Sequence, residues 1–165
     1  MTNLEVTDIT VRRLRPADLE AVIALDAKNT GRRRTEYFKL KLAQALSDTG
    51  IEVSLAAEKD EMFAGFLLAR VYYGEFGSTE KVAVLDTLGV HPDLRGKRIG
   101  HSLIRQLRTN LLGLGIPTLQ TEVSFEDQDV MTFFQHTGFR LANRVCLDLD
   151  LEKARAGDER ADALR

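Results

Sequence analysis

The chain has 165 residues, of which 44% are hydrophobic and 29% charged. That balance is that of one soluble globular domain with a sizeable core, and it excludes a disordered chain or two full domains. A net charge of −2 and a pI near 6.0 give no electrostatic signature of a nucleic-acid partner. A single cysteine excludes an internal disulfide framework. No apolar run approaches membrane-spanning length and no signal-peptide pattern opens the chain, so a cytoplasmic, membrane-free protein is expected.

Residues 1–7 read as a loose leader, and 9–14 as a strand. Pro16-Ala17-Asp18 opens a helix with Leu19, Val22, Ile23 and Leu25 as its apolar residues. Arg32-Arg33-Arg34 is the one local basic run. It reads as a solvated loop or as a mouth that attracts an acidic ligand. A second helix is expected over 35–46, with Phe38, Leu42, Ala45 and Leu46 as its packing face. Strands over 51–57 and 63–73 flank the turn Lys59-Asp60-Glu61 and predict a hairpin. A flexible loop follows at 74–80. Tyr72, Tyr73 and Phe76 lie near it, either lining an acceptor side or forming a dimer surface.

The next strand is expected over 82–90, then a helix over 99–112 with Leu103, Ile104, Leu107 and Leu111 facing inward, stopped by Gly113, Gly115 and Pro117. A strand over 118–124 completes a βαβ unit, so that pair should be parallel. A short helix over 128–136 ends at Gly138. A closing hairpin is expected from 139–142 and 145–151 around Asn143-Arg144. Within it Cys146 shares a face with Asp148 and Asp150, as a half-buried residue. The domain is expected to span 1–151, with a charged tail over 152–165.

The stretch from Leu85 to Gly100 carries the most chemistry. Strand, turn, glycine-bearing basic loop and helix follow in that order, which brings backbone N–H groups and a helix N-terminus together at a strand end. Such a place binds phosphate oxygens. Leu88-x-Val90-x-Pro92-x-x-Arg95-Gly96-Lys97-x-Ile99-Gly100 with Leu103-Ile104, and Phe133-Phe134 with Gly138-Phe139 one helix and one strand later, resemble the GNAT superfamily of N-acetyltransferases. The resemblance covers nearly the whole chain in element order. It implies one mixed α/β domain whose twisted, mostly antiparallel sheet ends in a splayed parallel pair flanked by helices. It implies acetyl-coenzyme A as cosubstrate and a primary amine, on a small molecule or a protein, as acceptor. By the same resemblance Leu88, Gly89 and Val90 would pair with the pantetheine arm. The loop Arg95, Gly96, Lys97, Arg98, Ile99, Gly100 and His101 would hold the pyrophosphate. A homodimer is compatible with it, and no metal is implied.

Three positions depart from the family pattern. Arg98 stands where a glycine is usual. Its Cβ is tolerable at negative φ, and its guanidinium either reaches a phosphate or points to solvent. Asp127 stands where an asparagine often lies beside the pantetheine. Phe134 stands where a tyrosine often serves as general acid; it offers an apolar wall at the sulfur end or a plain core aromatic.

Acetyl transfer to an amine needs a proton acceptor and a donor for the oxyanion. Asp86, expected on the strand face of Val84 and Leu88, is the candidate base. A carboxylate in a partly dry cleft has a raised pKa. Pairing with Arg13 or Arg70 is its alternative. Thr87 is expected on the opposite face. Glu122 and Ser124 could bind the amine. His91 reads as a cap or a solvated side chain. The function expected is acetyl transfer by direct attack in a ternary complex, and the alternative is an acyl-coenzyme A sensor with little turnover.

Overall fold

A computed structural model describes residues 8–47, 53–73, 77 and 79–155. Five strands form one sheet in the order β1-β2-β3-β4-β5. They are β1 (Ile9–Arg13), β2 (Leu55–Lys59), β3 (Met62–Tyr73), β4 (Lys81–Val90) and β5 (Thr118–Thr121). The first four pair antiparallel. β4 and β5 pair parallel, as their crossover helix requires. The expected β2–β3 hairpin is present. Its turn residues Asp60 and Glu61 have φ of 50° and 62°, the left-handed values that match the twist of a two-residue hairpin.

Each face of the sheet has its own core. On one, the crossover helix α3 (Ile99–Gly113) buries Ile99, Leu103, Ile104, Leu107 and Leu111 against Leu67, Ala83 and Leu85. These positions recur at helical spacing, so one stripe of α3 is apolar. On the other, α1 (Leu19–Thr30) and α2 (Thr35–Ser47) bury Val22, Ile23, Phe38 and Leu42 against Ala56, Phe66 and Leu68. The central strands therefore face apolar layers on both sides, and β2 reads Leu-Ala-Ala without polar alternation. A one-turn 3-10 helix at Pro16–Asp18 leads into α1, and Gly31 at φ 71° ends it. α4 (Gln128–His136) matches its expected bounds.

Three expectations are corrected. β5 stops at Thr121, so Glu122 and Ser124 lie beyond the strand. The closing hairpin does not form: residues 139–150 carry no ladder, and the chain bends at Asn143. Without a neighbouring strand the apolar face has nothing to cover it, and Cys146 is exposed rather than half-buried. Residues 151–155 form a helical turn, started by the Asp150 carboxylate accepting the Lys153 N–H at 3.1 Å. Residues 51 and 52 of the expected second strand, Phe76, and the tail beyond 155 lie outside the described residues.

Candidate acetyl-transfer site

Two irregularities of β4 create the site. Along β3 the register passes from Leu68↔Thr87 to Ala69↔Leu85, so Asp86 is an extra, unopposed residue. Such a bulge bends the strand and re-aims a side chain. On the other edge the ladder to β5 ends at Leu85↔Thr121, where the Thr121 hydroxyl donates to the Leu85 carbonyl at 2.9 Å. Beyond that rung β4 runs on to Val90 while β5 has ended. The gap is a cleft of about 590 Å³, walled by β4, Arg95, Thr121, Glu122 and the first turns of α4.

The bulge overturns the expected facing of β4. Ala83 and Leu85 pack on the α3 side, and so do Leu88 and Val90, whereas strict alternation would put Leu88 with Val84. Asp86 and Thr87 both turn toward α2. Asp86 Oδ2 lies 2.7 Å from Lys41 Nζ, with the side chain 23% exposed. Thr87 Oγ1 is 3.5 Å from the Tyr37 hydroxyl. The cation beside Asp86 is thus Lys41 and neither Arg13 nor Arg70. Arg70 instead bonds Gln44 at 3.4 Å and lies over the Tyr72 ring.

The His91 N–H donates to the Ala64 carbonyl at 2.8 Å. With Gly65 opposite Val90, the antiparallel alternation sends the polar groups of Thr87 and Gly89 toward β3, and those of Leu88 and Val90 toward the cleft. Gly89 is required for another reason: a Cβ there would stand 2.6 Å from the Phe66 ring.

The loop after β4 turns through the one-turn 3-10 helix at Pro92–Leu94, capped by His91, whose Nδ1 accepts the Asp93 N–H at 3.3 Å. Gly96 follows with φ 76° and open space where a Cβ would be. Arg98 has φ 66°, against the negative φ expected. It is the N-cap of α3, and its carbonyl receives the Ser102 N–H at 2.9 Å. The N–H groups of Gly96, Arg98, Ile99, Gly100 and His101 have no acceptor among the described residues. They converge at the positive end of α3. The Ile99 side chain is buried in the core. A Cβ on Gly100 would press on Phe133 at 3.0 Å, and the His101 ring stands edge-on to Phe133 at 5.2 Å. Lys97 is exposed.

Across the cleft, Asp127 caps α4 by accepting the Val130 N–H at 3.3 Å. Phe134, 7% exposed, touches Phe133 and Phe139 edge-on and still reaches the cleft wall. Asp86, Glu122, Asp127 and Asp129 give that wall four carboxylates. Ser124 accepts the Glu126 N–H at 3.3 Å in the loop before α4.

Sequence reasoning missed Lys41, Tyr37 and Asn29. The Asn29 amide donates to the Val90 carbonyl at 2.9 Å and accepts from Arg95 at 3.1 Å, and Lys28 meets His91 at 2.9 Å. The last turn of α1 thereby clasps the loop. No local pattern marks these residues, since each acts across more than forty positions of chain. The arginine run is spent largely on α1: Arg33 pairs with Glu20, and Arg34 with Asp26. Among the described residues no helix is long and apolar enough to cross a membrane, and no cluster of His, Cys, Asp or Glu is placed to hold a metal ion.

Comparison with solved structures finds this architecture repeatedly. A transcriptional regulator from Bacillus halodurans C-125 superposes with a TM-score of 0.72 at 19% identity, over 86% of this chain and 99% of that one. The aminoglycoside N-acetyltransferase AAC(6')-Iy in complex with CoA gives 0.70 at 18%, over 86% and 94%. A ribosomal-protein-alanine N-acetyltransferase from Brucella melitensis biovar Abortus 2308 gives 0.68 at 19%, over 86% and 98%. The family profile described as Acetyltransferase (GNAT) family matches residues 19–139. Acetyl-coenzyme A is the cosubstrate typical of that family. With the sheet, the splayed pair and the amide-rich loop in place, the chain belongs to the GNAT acetyltransferase family.

Proposed function

We propose that the protein transfers an acetyl group from acetyl-coenzyme A to a primary amine, of a small molecule or a protein, by direct attack in a ternary complex. The observation that carries this reading is the coincidence of the β4–β5 gap with the Asp86 bulge. The gap offers the backbone groups of Leu88 and the N–H of Val90, whose carbonyl is held by Asn29, to an extended amide-bearing arm. Asp86, the bulged residue, lines the same cleft. The amides of Gly96 and of Arg98 to His101 hold the pyrophosphate, with Arg95 and Lys97 adding charge. Asp127, holding the first turn of α4, and the Phe134 ring line the opposite wall.

Asp86, directly or through one water, takes the proton that the amine loses as its nitrogen bonds the thioester carbonyl carbon. A β4 N–H on the splayed edge stabilises the oxyanion. The carbon–sulfur bond then breaks and the thiolate takes up a proton from solvent, because Phe134 has none to give. The thiolate is a fair leaving group, so the missing tyrosine does not stop the reaction.

The test is thiol release from acetyl-coenzyme A over an amine panel. Asp86→Ala is expected to lower kcat by roughly 10²–10³-fold, the scale of a lost general base. Unchanged turnover removes Asp86 from the mechanism. Phe134 at the acid position also favours a second reading, an acyl-coenzyme A sensor. Tight cofactor binding with no thiol release across the panel selects that one.

A further inference from the structure

On the α2 side of the sheet one cation has no counter-charge. Among the described residues, Arg70 Nε is the one buried side-chain nitrogen or oxygen without a hydrogen-bond partner. The rest of the guanidinium is little better served. It reaches Gln44 Oε1 at 3.4 Å, near the outer limit of a hydrogen bond, and lies over the Tyr72 ring, its carbon 5.3 Å from the centroid. Among the described residues no carboxylate pairs with it. A guanidinium offers five N–H donors in a planar fork, the shape that receives a carboxylate or a phosphate through two parallel hydrogen bonds.

Arg70 stands beside the carboxylate of the transfer site. β3 pairs Arg70 with Val84, two residues before Asp86, so Arg70 and Asp86 are diagonal neighbours across the two strands, roughly 7–8 Å apart. Both side chains meet α2, Asp86 at Lys41 and Arg70 at Gln44. Lys41 and Gln44 are three positions apart, neighbours on one helix face at about 5–6 Å. A carboxylate and a guanidinium thus stand about one helical turn from each other. Asp86 lines the cleft and Arg70 does not, so the guanidinium is beside the base and apart from the cofactor's path. The other carboxylates of the cleft, Glu122, Asp127 and Asp129, lie beyond β5 and at the start of α4.

Lys41 and Arg70 are two cations beside one carboxylate, Asp86, a surplus of one positive charge. An acceptor ammonium that takes Asp86 from Lys41 raises that surplus to two. An acceptor that also brings an anion keeps it at one. We infer, on the reading of the site as an acetyltransferase with Asp86 as base, that the acceptor is a primary amine that also bears a carboxylate or a phosphate. Asp86 receives its amine and the Arg70 guanidinium holds its anion. Arg70 touches the substrate away from the reacting atoms, so it sets which amine binds and not the speed of the chemical step.

Thiol release from acetyl-coenzyme A is compared within pairs of amines: γ-aminobutyrate against butylamine, and phosphoethanolamine against ethanolamine. Putrescine carries a second cation in place of the anion. The anionic member of at least one pair is expected to have the higher kcat/KM by roughly tenfold or more, the scale of a hydrogen bond to a charged group. The pair that shows it tells a carboxylate from a phosphate, and putrescine is expected to be the poorest substrate. Arg70→Gln is expected to raise KM for the anionic amine by a similar factor, with kcat little changed and the neutral counterpart unaffected. Arg70→Lys is expected to recover part of the loss. Equal kcat/KM within both pairs, a preference for putrescine, or an equal loss on anionic and neutral amines in Arg70→Gln overturns the proposal.

A measurement without turnover separates this proposal from the transfer reading. γ-Aminobutyrate and phosphoethanolamine are titrated by calorimetry into the full-length protein with coenzyme A present. Binding of one of them, weakened about tenfold or more in Arg70→Gln, is expected. That result supports the anion site even where no amine of the panel releases thiol, an outcome that overturns the transfer reading alone. No binding of either compound, or binding that Arg70→Gln leaves unchanged, overturns the anion site even where neutral amines are acetylated.

Discussion

Two kinds of acid–base pair hold this molecule, and they differ in how completely the carboxylate is used. Near the start of the chain, Asp18 receives both arms of the Arg12 guanidinium at 2.8 and 2.9 Å and the Arg15 N–H at 2.7 Å. Asp26 is gripped by two nitrogens of Arg34 at 2.9 and 2.6 Å, with its side chain 7% exposed. Both are two-point arginine contacts that engage both carboxylate oxygens, the geometry of a fixed structural clasp. At the β4 bulge, Asp86 meets a flexible lysine through one oxygen, and the residue lines the cleft. A saturated carboxylate ties elements together. A carboxylate held at one point remains able to exchange its partner for a substrate ammonium.

The largest expected effects separate the two. Asp86→Ala should cost the 10²–10³-fold in kcat while moving stability by less than about 1 kcal/mol, because a half-open lysine pair contributes little. Asp18→Ala should do the reverse, costing about 1–3 kcal/mol in urea unfolding with kcat retained, since it removes three hydrogen bonds, unpairs the Arg15 N–H and leaves the half-buried Arg12 with Glu58 as its remaining carboxylate. Acid sharpens the contrast. Burial pushes the Asp18 carboxyl up, but the hydrogen bonds from Arg12 and the Arg15 amide outweigh it and hold the group below its ordinary 3.8. A carboxyl lowered on folding contributes fully above that ordinary value and loses its contribution as pH falls through the lower, folded one. The stability gap between wild type and Asp18→Ala should therefore narrow below pH 3.8. A gap constant with pH would mean that Asp18 acts by packing alone.

What the sequence made legible follows the same division. Periodicity located α3 and its buried stripe because local spacing decides which face of a helix is apolar. The glycines and basic residues of the loop were legible because phosphate binding needs them contiguous. Asp86 stood out as a carboxylate in an apolar strand, yet its orientation did not, since one bulge reverses every face downstream of it. Lys41 and Asn29 were invisible because their partners lie far along the chain. The closing hairpin fails for a related reason: the alternation of Val145, Leu147 and Leu149 is real, but a period of two marks which face of a segment is apolar and does not supply the neighbouring strand a ladder needs.

Arg98 gives the smallest expected effect and the finest test of the loop. At φ 66° it occupies the left-handed region, which costs an L-residue roughly 1–2 kcal/mol. Strain of that kind survives where the surroundings hold it, often at a binding site. Arg98→Gly removes the strain but adds the backbone entropy of a glycine in the unfolded chain, worth about 0.5–1 kcal/mol. Stability should thus rise by no more than about 1.5 kcal/mol. Coenzyme A binding, measured by calorimetry, should remain within about tenfold, because the amides of Gly96 and of Arg98 to His101 carry most of the phosphate contact. A much larger loss of affinity, with the gain in stability intact, would make the guanidinium itself a principal phosphate ligand. Arg98 would then belong with Asp86, as a side chain kept in an open geometry for what it binds and not for what it holds together.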